Sequence, residues 1–175
     1  MSFQMFLASD LPMDEVENPH IELLSVNEAM EKGIKIPDFM LSNKSTIDRN
    51  KPSVMLWVDN EENLGEITIR NTEKVYLGLH DCNLETTLQH FSSLEWEYTE
   101  KRCKKLITYI KEHLEKANEL EVWNLWIGYE DNVPQTRKHS VCADDLTPAD
   151  LEKMFWCGQQ IDDWQQYECL IVKRI

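Results

Sequence analysis

Residues 91–128 read FSSLEWEYTEKRCKKLITYIKEHLEKANELEVWNLWIG, and this stretch decides the fold. From Phe91 to Ala117, residues Trp96, Thr99, Cys103, Leu106, Ile107, Ile110, Leu114 and Ala117 recur at steps of three or four, the period of a helix with one buried stripe. Ser92 or Ser93 is the expected N-cap, and Asn118 the expected stop. The period then changes to two. Val122, Asn124, Trp126 and Gly128 fall on one face, with Trp123, Leu125 and Ile127 on the other, as in a strand covered by a helix. A long amphipathic helix running straight into such a strand calls for a helix layered on a sheet.

Working outward, the flanking segments supply more strands than helices. Phe3 to Ala8 is short and apolar and ends in Ser9-Asp10-Leu11-Pro12, the pattern of a first strand entering a loop. Ile21 to Val26 reads as a second strand, followed by a short helix capped by Asn27 and stopped by Gly33. Residues 36–52 read as loop with some local structure. Val54-Met55-Leu56-Trp57-Val58 is a continuous apolar run, expected as a central strand of the sheet. Ile67 to Arg70 and Val75 to Leu79, joined by Asn71-Thr72-Glu73, predict a hairpin. Ser140 to Ala143 reads as a short strand, and Thr147-Pro148-Ala149-Asp150 opens a helix reaching about Phe155, with the hydroxyl at N-cap, Pro at N1 and the acid at N3. Tyr167 to Lys173 closes the chain as a strand. Helices are too few and too late for regular βαβ alternation. The expected class is therefore α+β, a mainly antiparallel sheet with one long amphipathic helix packed on it and a short C-terminal helix, in a single domain over 1–175.

Composition bounds the function. At 175 residues one core buries roughly 70% of the unfolded surface without staples. The 32 acidic residues against 18 basic ones give a formal net charge of −14, which repels phosphate backbones and anionic membrane surfaces. The only basic cluster is Lys101-Arg102-Cys103-Lys104-Lys105, and it reads as the solvated face of the long helix. Neither nucleic acid nor membrane is an expected partner. The five cysteines are odd in number and contain no C-x-x-C pair, which points to a reducing, cytoplasmic setting. No motif for a nucleotide, metal or other cofactor is present, so none is expected.

Three places hold residues that could carry chemistry. His80-Asp81-Cys82, with His90 downstream, has donor types that zinc uses, or a thiol beside an imidazole, at a spacing that matches no known ligand pattern. A turn with His80 exposed and Cys82 filling a small gap accounts for the same residues. Trp126, Tyr129, Glu130 and Asp131 set aromatics beside carboxylates, a combination that holds sugars or cations, and Trp123 and Trp126 also suit packing above and below a sheet. Trp156 to Gln166 flanks two tryptophans with glutamines, suiting either a contact surface or a packed linker. No catalytic residue is assigned.

The order of Met5-Phe6-Leu7-Ala8-Ser9-Asp10, then Val75-Tyr76-Leu77-Gly78 leading to Cys82, then Leu125-Trp126-Ile127-Gly128-Tyr129-Glu130 resembles a group of small uncharacterised bacterial proteins. Members of that group carry a Cys-Gly-Cys-Gly run where this chain has Cys82-Asn83-Leu84, so a shared thiol or metal role does not carry over. The resemblance implies a bacterial cytoplasmic α+β protein and brings no activity with it. The expected function is a non-enzymatic acidic binding or regulatory protein, such as a neutraliser of a basic partner. The alternative is an enzyme or metal-binding protein centred on the His80/Cys82 loop, and a homodimer using Trp156 or Trp164 is the other assembly the sequence allows.

Overall fold

The computed structural model describes residues 2–52, 55–58, 60, 63, 66–73, 84–96, 98–127, 135–156 and 166–174. They belong to two compact units, Met1–Glu17 with Glu66–Ile175, and Asn18–Gly65. No helix among them is long and apolar enough to cross a membrane.

The first unit is built on a six-stranded sheet made of β1 (Ser2–Ser9), β4 (Thr68–Thr72), β5 (His90–Glu95), β6 (Glu119–Ile127), β7 (Gln135–Cys142) and β8 (Gln166–Lys173), in the order β4-β5-β1-β6-β8-β7. Every pairing is antiparallel except β7 with β8. Parallel neighbours need a crossover, and here the connection carries α4 (Pro148–Trp156). The long helix α3 (Glu100–Leu114) lies on the same sheet. The α+β class with one long helix and a short C-terminal one is therefore what the chain adopts.

Alternation along the strands sends residues to two cores. Met5 and Leu7, Leu120 and Val122, and Leu170 and Val172 meet Cys103, Leu106, Ile110 and Leu114 of α3 and Leu151 and Met154 of α4. Each Leu or Ile fully removed from water there contributes roughly 1.5–3 kcal/mol. On the opposite face Phe6 stacks on Trp123, with centroids 5.8 Å apart and planes 4° from parallel, among Ala8, Phe91, Leu125, Tyr167 and Cys169. Leu84 and Leu88 pack there too. Burial of the Cys103 thiol pushes its pKa up to about 11, and burial of Cys169 pushes it further. Both behave as small apolar residues.

Four expectations need correcting. The helix does not begin at Phe91, because residues 90–95 form a strand hydrogen-bonded between β1 and β4. Phe91 and Leu94 are three apart, a helical spacing, but in a strand they face opposite sides, and each side has its own core. The N-cap of α3 is Thr99, whose side chain accepts from the Arg102 N–H at 3.2 Å, and not Ser92 or Ser93. The third correction concerns the apolar run at 54–58. Among the described residues its strand β3 (Met55–Trp57) pairs with β2 (Glu22–Leu24) in a separate two-stranded sheet of the second unit, and not within the six-stranded sheet. Finally, the helix α1 (Val26–Glu31) is capped by Ser25, not Asn27: Ser25 Oγ accepts from Glu28 N–H and the Glu28 carboxylate accepts from Ser25 N–H at 2.7 Å. Gly33 ends it with φ 75°, a left-handed value that glycine adopts without strain. A further short helix, α2 (Asp38–Leu41), lies inside the stretch expected as loop. The partner strand of the expected 67–79 hairpin lies outside the described residues.

Candidate functional site

Most of the residues singled out from the sequence fall where nothing is described. His80, Cys82, Tyr129, Glu130, Asp131 and Trp164 lie outside the described residues. His90 opens β5 opposite Ser9, and Trp126 sits on β6 opposite Phe3. Among the described residues no group of three or more His, Cys, Asp and Glu is placed to hold a metal ion. The basic run at 101–105 is engaged internally: Lys101 and Lys105 both reach the buried Glu66 carboxylate, and Lys104 pairs with Glu100 at 2.6 Å. The Lys105 hydrogen bond, against the cost of burial, holds the Glu66 carboxyl below its ordinary value, and Lys101 adds to it.

A cleft of about 560 Å³ in the first unit opens between the loop after β1 and the outer face of α3. Leu11, Pro12, Asp14 and Val16 form one wall, and Tyr109, Glu112, His113, Glu115 and Lys116 the other. Positions 109, 112, 113 and 116 share a helix face because they follow the three-and-four step. The Tyr109 and His113 rings lie nearly parallel, 7° apart with centroids at 6.4 Å, as an aromatic floor. Asp14, Glu112 and Glu115 are exposed around it, with Lys116 as the one ammonium of the lining.

Local hydrogen bonds fix both walls. The Tyr109 hydroxyl donates to the Asp14 carbonyl at 2.8 Å, and burial together with the Asp14 charge drives the phenol pKa upward. Val16 and Ile69 exchange backbone bonds at 2.9 and 2.8 Å. The Asp10 carboxylate accepts from Asn118 Nδ2 at 2.7 Å and from the backbone N–H groups of Asn118 and Glu119. Partial burial works to raise the Asp10 pKa, but the bonds from Asn118 and Glu119 outweigh it and leave the group below its ordinary value.

Beneath the floor, His113 Nε2 lies 2.7 Å from Ser9 Oγ, the distance of a nucleophile and its base. The neighbours of that hydroxyl decide otherwise. Leu11 N–H, at 3.3 Å, can only donate to Oγ, and the Glu119 carbonyl, at 3.1 Å, can only accept from it. The Asp10 carboxylate, at 3.5 Å, is likewise only an acceptor, so the arrangement that satisfies these neighbours has His113 Nε2–H donating to Oγ while Oγ donates towards Glu119 and Asp10. This is the reverse of a catalytic dyad, in which the imidazole accepts the serine proton. Burial lowers the His113 pKa, with Asp10 and Asp14 opposing, which favours the neutral ring, and its Nε2–H tautomer donates as this arrangement requires. Ser9 is also 0% exposed, so no substrate atom reaches it. Ser9 and His113 are thus a joint between β1, α3 and β6, and the accessible chemistry of the cleft is its aromatic floor and its carboxylates.

None of these cleft residues was singled out from the sequence. The helix stripe of Tyr109, Glu112, His113 and Lys116 was legible as a polar face of α3, but the facing wall comes from residues 11–16, which no local pattern links to it. No protein-family model, curated protein or solved structure matches the chain.

Proposed function

We propose that the protein is a non-enzymatic binding protein that takes a lysine or arginine side chain of a basic protein partner in the cleft between residues 11–16 and α3. The observation that carries this reading is an aromatic floor, Tyr109 on His113, ringed by the exposed carboxylates of Asp14, Glu112 and Glu115. A cation over such a ring is attracted by its electron-rich face, and the carboxylates add charge pairing at the rim. The formal charge of −14 favours fast encounter with a basic surface. The odd number of cysteines, with no C-x-x-C pair, supports a reducing, cytoplasmic setting for this encounter.

The test uses a short lysine- and arginine-rich peptide, with its charge-reversed counterpart as control. Binding should fall steeply with salt, and Glu112→Gln combined with Glu115→Gln should weaken it about 5–30-fold, since each exposed pair is worth up to about 1 kcal/mol. Equal affinity of the double variant and the parent would overturn the reading.

A further inference from the structure

A second, smaller pocket of about 260 Å³ lies on the same sheet beside α4, away from the cleft, and is lined in part by Glu168, His139, Asp150 and Lys153. It is below the roughly 300–1,000 Å³ of pockets that hold drug-sized ligands, so its occupant is small. Glu168 lines it, and Asn124 is the ladder partner of Glu168 on the neighbouring strand. Asn124 of β6 and Glu168 of β8 are directly opposed in the antiparallel ladder, and each is only 3% exposed. Residues so opposed have Cα atoms about 4.5–5.5 Å apart and share one face of the sheet.

Each side chain keeps a buried oxygen with no hydrogen-bond donor, Asn124 Oδ1 and Glu168 Oε2. The Asn124 amide cannot be turned to relieve this. Its Nδ2 donates to the Met154 carbonyl of α4, and a carbonyl facing Oδ1 instead would set acceptor against acceptor. Among the described residues, Arg137 Nη1 pairs with Glu168 Oε1 at 3.5 Å and His139 Nε2 lies 3.5 Å from Oε2, both longer than an ordinary hydrogen bond. Buried acceptors left this way cost stability, and natural structures rarely keep two of them side by side without a purpose.

The charges are also layered. The acceptors lie deep, whereas the His139 side chain is 63% exposed and Lys153 is exposed with it at the rim, where the half-buried Asp150 already caps the start of α4 through Thr147. A lone cation would gain at the base but meet repulsion at the mouth. A group with several N–H donors at one end and an acid at the other matches both layers.

We infer that this pocket binds a small zwitterion of free amino-acid type, its ammonium donating to Glu168 and Asn124 and its carboxylate facing Lys153 and His139. The ammonium offers three donors, enough to satisfy both orphaned oxygens at once. The inference is independent of the cleft, since the two sites share no residue.

The experiment titrates the full chain with three matched probes, L-alanine, ethylamine and propionate, and follows backbone amide shifts of residues 137–141 and 166–170 by NMR. L-alanine should give saturable shifts, ethylamine should bind about tenfold more weakly, and propionate should give none, because a charge-assisted hydrogen bond at each end carries roughly that factor. Glu168→Gln keeps the shape and supplies its own N–H₂ beside Asn124, so it should abolish L-alanine binding. Lys153→Met, at an exposed position, should leave the fold intact and bring L-alanine down to the level of ethylamine, and it decides the matter if Glu168→Gln fails to fold. No saturable response to either amine would mean that the orphaned oxygens hold water alone, and would overturn the inference. Equal binding of L-alanine and ethylamine by the parent, or full binding by Glu168→Gln, would overturn it as well.

Discussion

Replacing Ser9 by Ala tests whether its hydroxyl is a joint or a nucleophile. The substitution removes one atom that meets four partners, His113 Nε2 at 2.7 Å, Glu119 O at 3.1 Å, Leu11 N at 3.3 Å and, most distantly, Asp10 Oδ1 at 3.5 Å, at a site with no solvent exposure. His113 borders the cleft and Leu11 is 39% exposed, so both can turn to water, at about 0.5 kcal/mol each. The Glu119 carbonyl loses its hydroxyl donor in the interior, which costs about 1–3 kcal/mol. The sum is about 2–4 kcal/mol. For a chain of this size each kcal/mol lowers the melting midpoint by about 2–4 °C, so Ser9→Ala should melt roughly 5–15 °C below the parent. Thermal unfolding followed by circular dichroism reads the shift, and treatment with a fluorophosphonate followed by peptide mass mapping reads the nucleophile. The expected outcome is a large loss of stability and no adduct on Ser9. A variant as stable as the parent, or an adduct on Ser9, would refute the proton assignment and the buried-joint reading together.

Other consequences follow from the two cores and the buried charges. Glu66→Gln strips a 5%-exposed carboxylate from Lys101 and Lys105, and since both ammonium groups are about half exposed the cost should be about 1–2 kcal/mol at neutral pH by urea unfolding. The folded-state pKa of Glu66 is lowered, so its contribution is complete above the ordinary carboxylate value of 4.5 and is lost as pH falls through the folded value. The variant should therefore show a flatter acid limb than the parent, and an unchanged limb would count against the pairing. Trp123→Leu removes the ring stacked on Phe6 and leaves Glu121 Oε2 without the indole N–H that it accepts at 2.7 Å. A loss of about 3–5 kcal/mol is expected, and less than about 1 kcal/mol would mean that this second core is not closely packed.

The elements read correctly from the sequence are those whose causes are local. Thr147-Pro148-Ala149-Asp150 carries its own start signal, and the Asp150 carboxylate does accept from both the N–H and the hydroxyl of Thr147, at 3.0 and 2.6 Å. Gly33 likewise stops α1 by its own backbone freedom. Failures came where a pattern has two physical solutions. Phe91 and Leu94 satisfy a helical step and also a strand buried on both faces, and only the presence of a second core under Phe6 and Trp123 chooses between them. The run at 54–58 shows that a strand is apolar and not which sheet receives it. Parallel pairing of β7 with β8 leaves no mark in either strand, because it is set by the crossover. The cleft was illegible for the same kind of reason: its aromatic and acidic groups lie on α3, but a concave site needs the facing loop, and nothing in residues 11–16 announces that it will fold against a helix that comes much later in the chain.

The placement of β1 bears on how this protein is made. A ribosome releases β1 ahead of every other strand of the six-stranded sheet, yet both of its edges are filled only by segments that emerge much later, at 90–95 and 119–127. Until then an apolar ribbon with two open edges must wait in a crowded solution, a state that invites wrong pairing. Its release from that hazard comes late and in two steps, first with β5 and then, after α3, with β6. Such long-range closure is intrinsically slow. Refolding yields that fall as protein concentration rises are the outcome this ordering predicts.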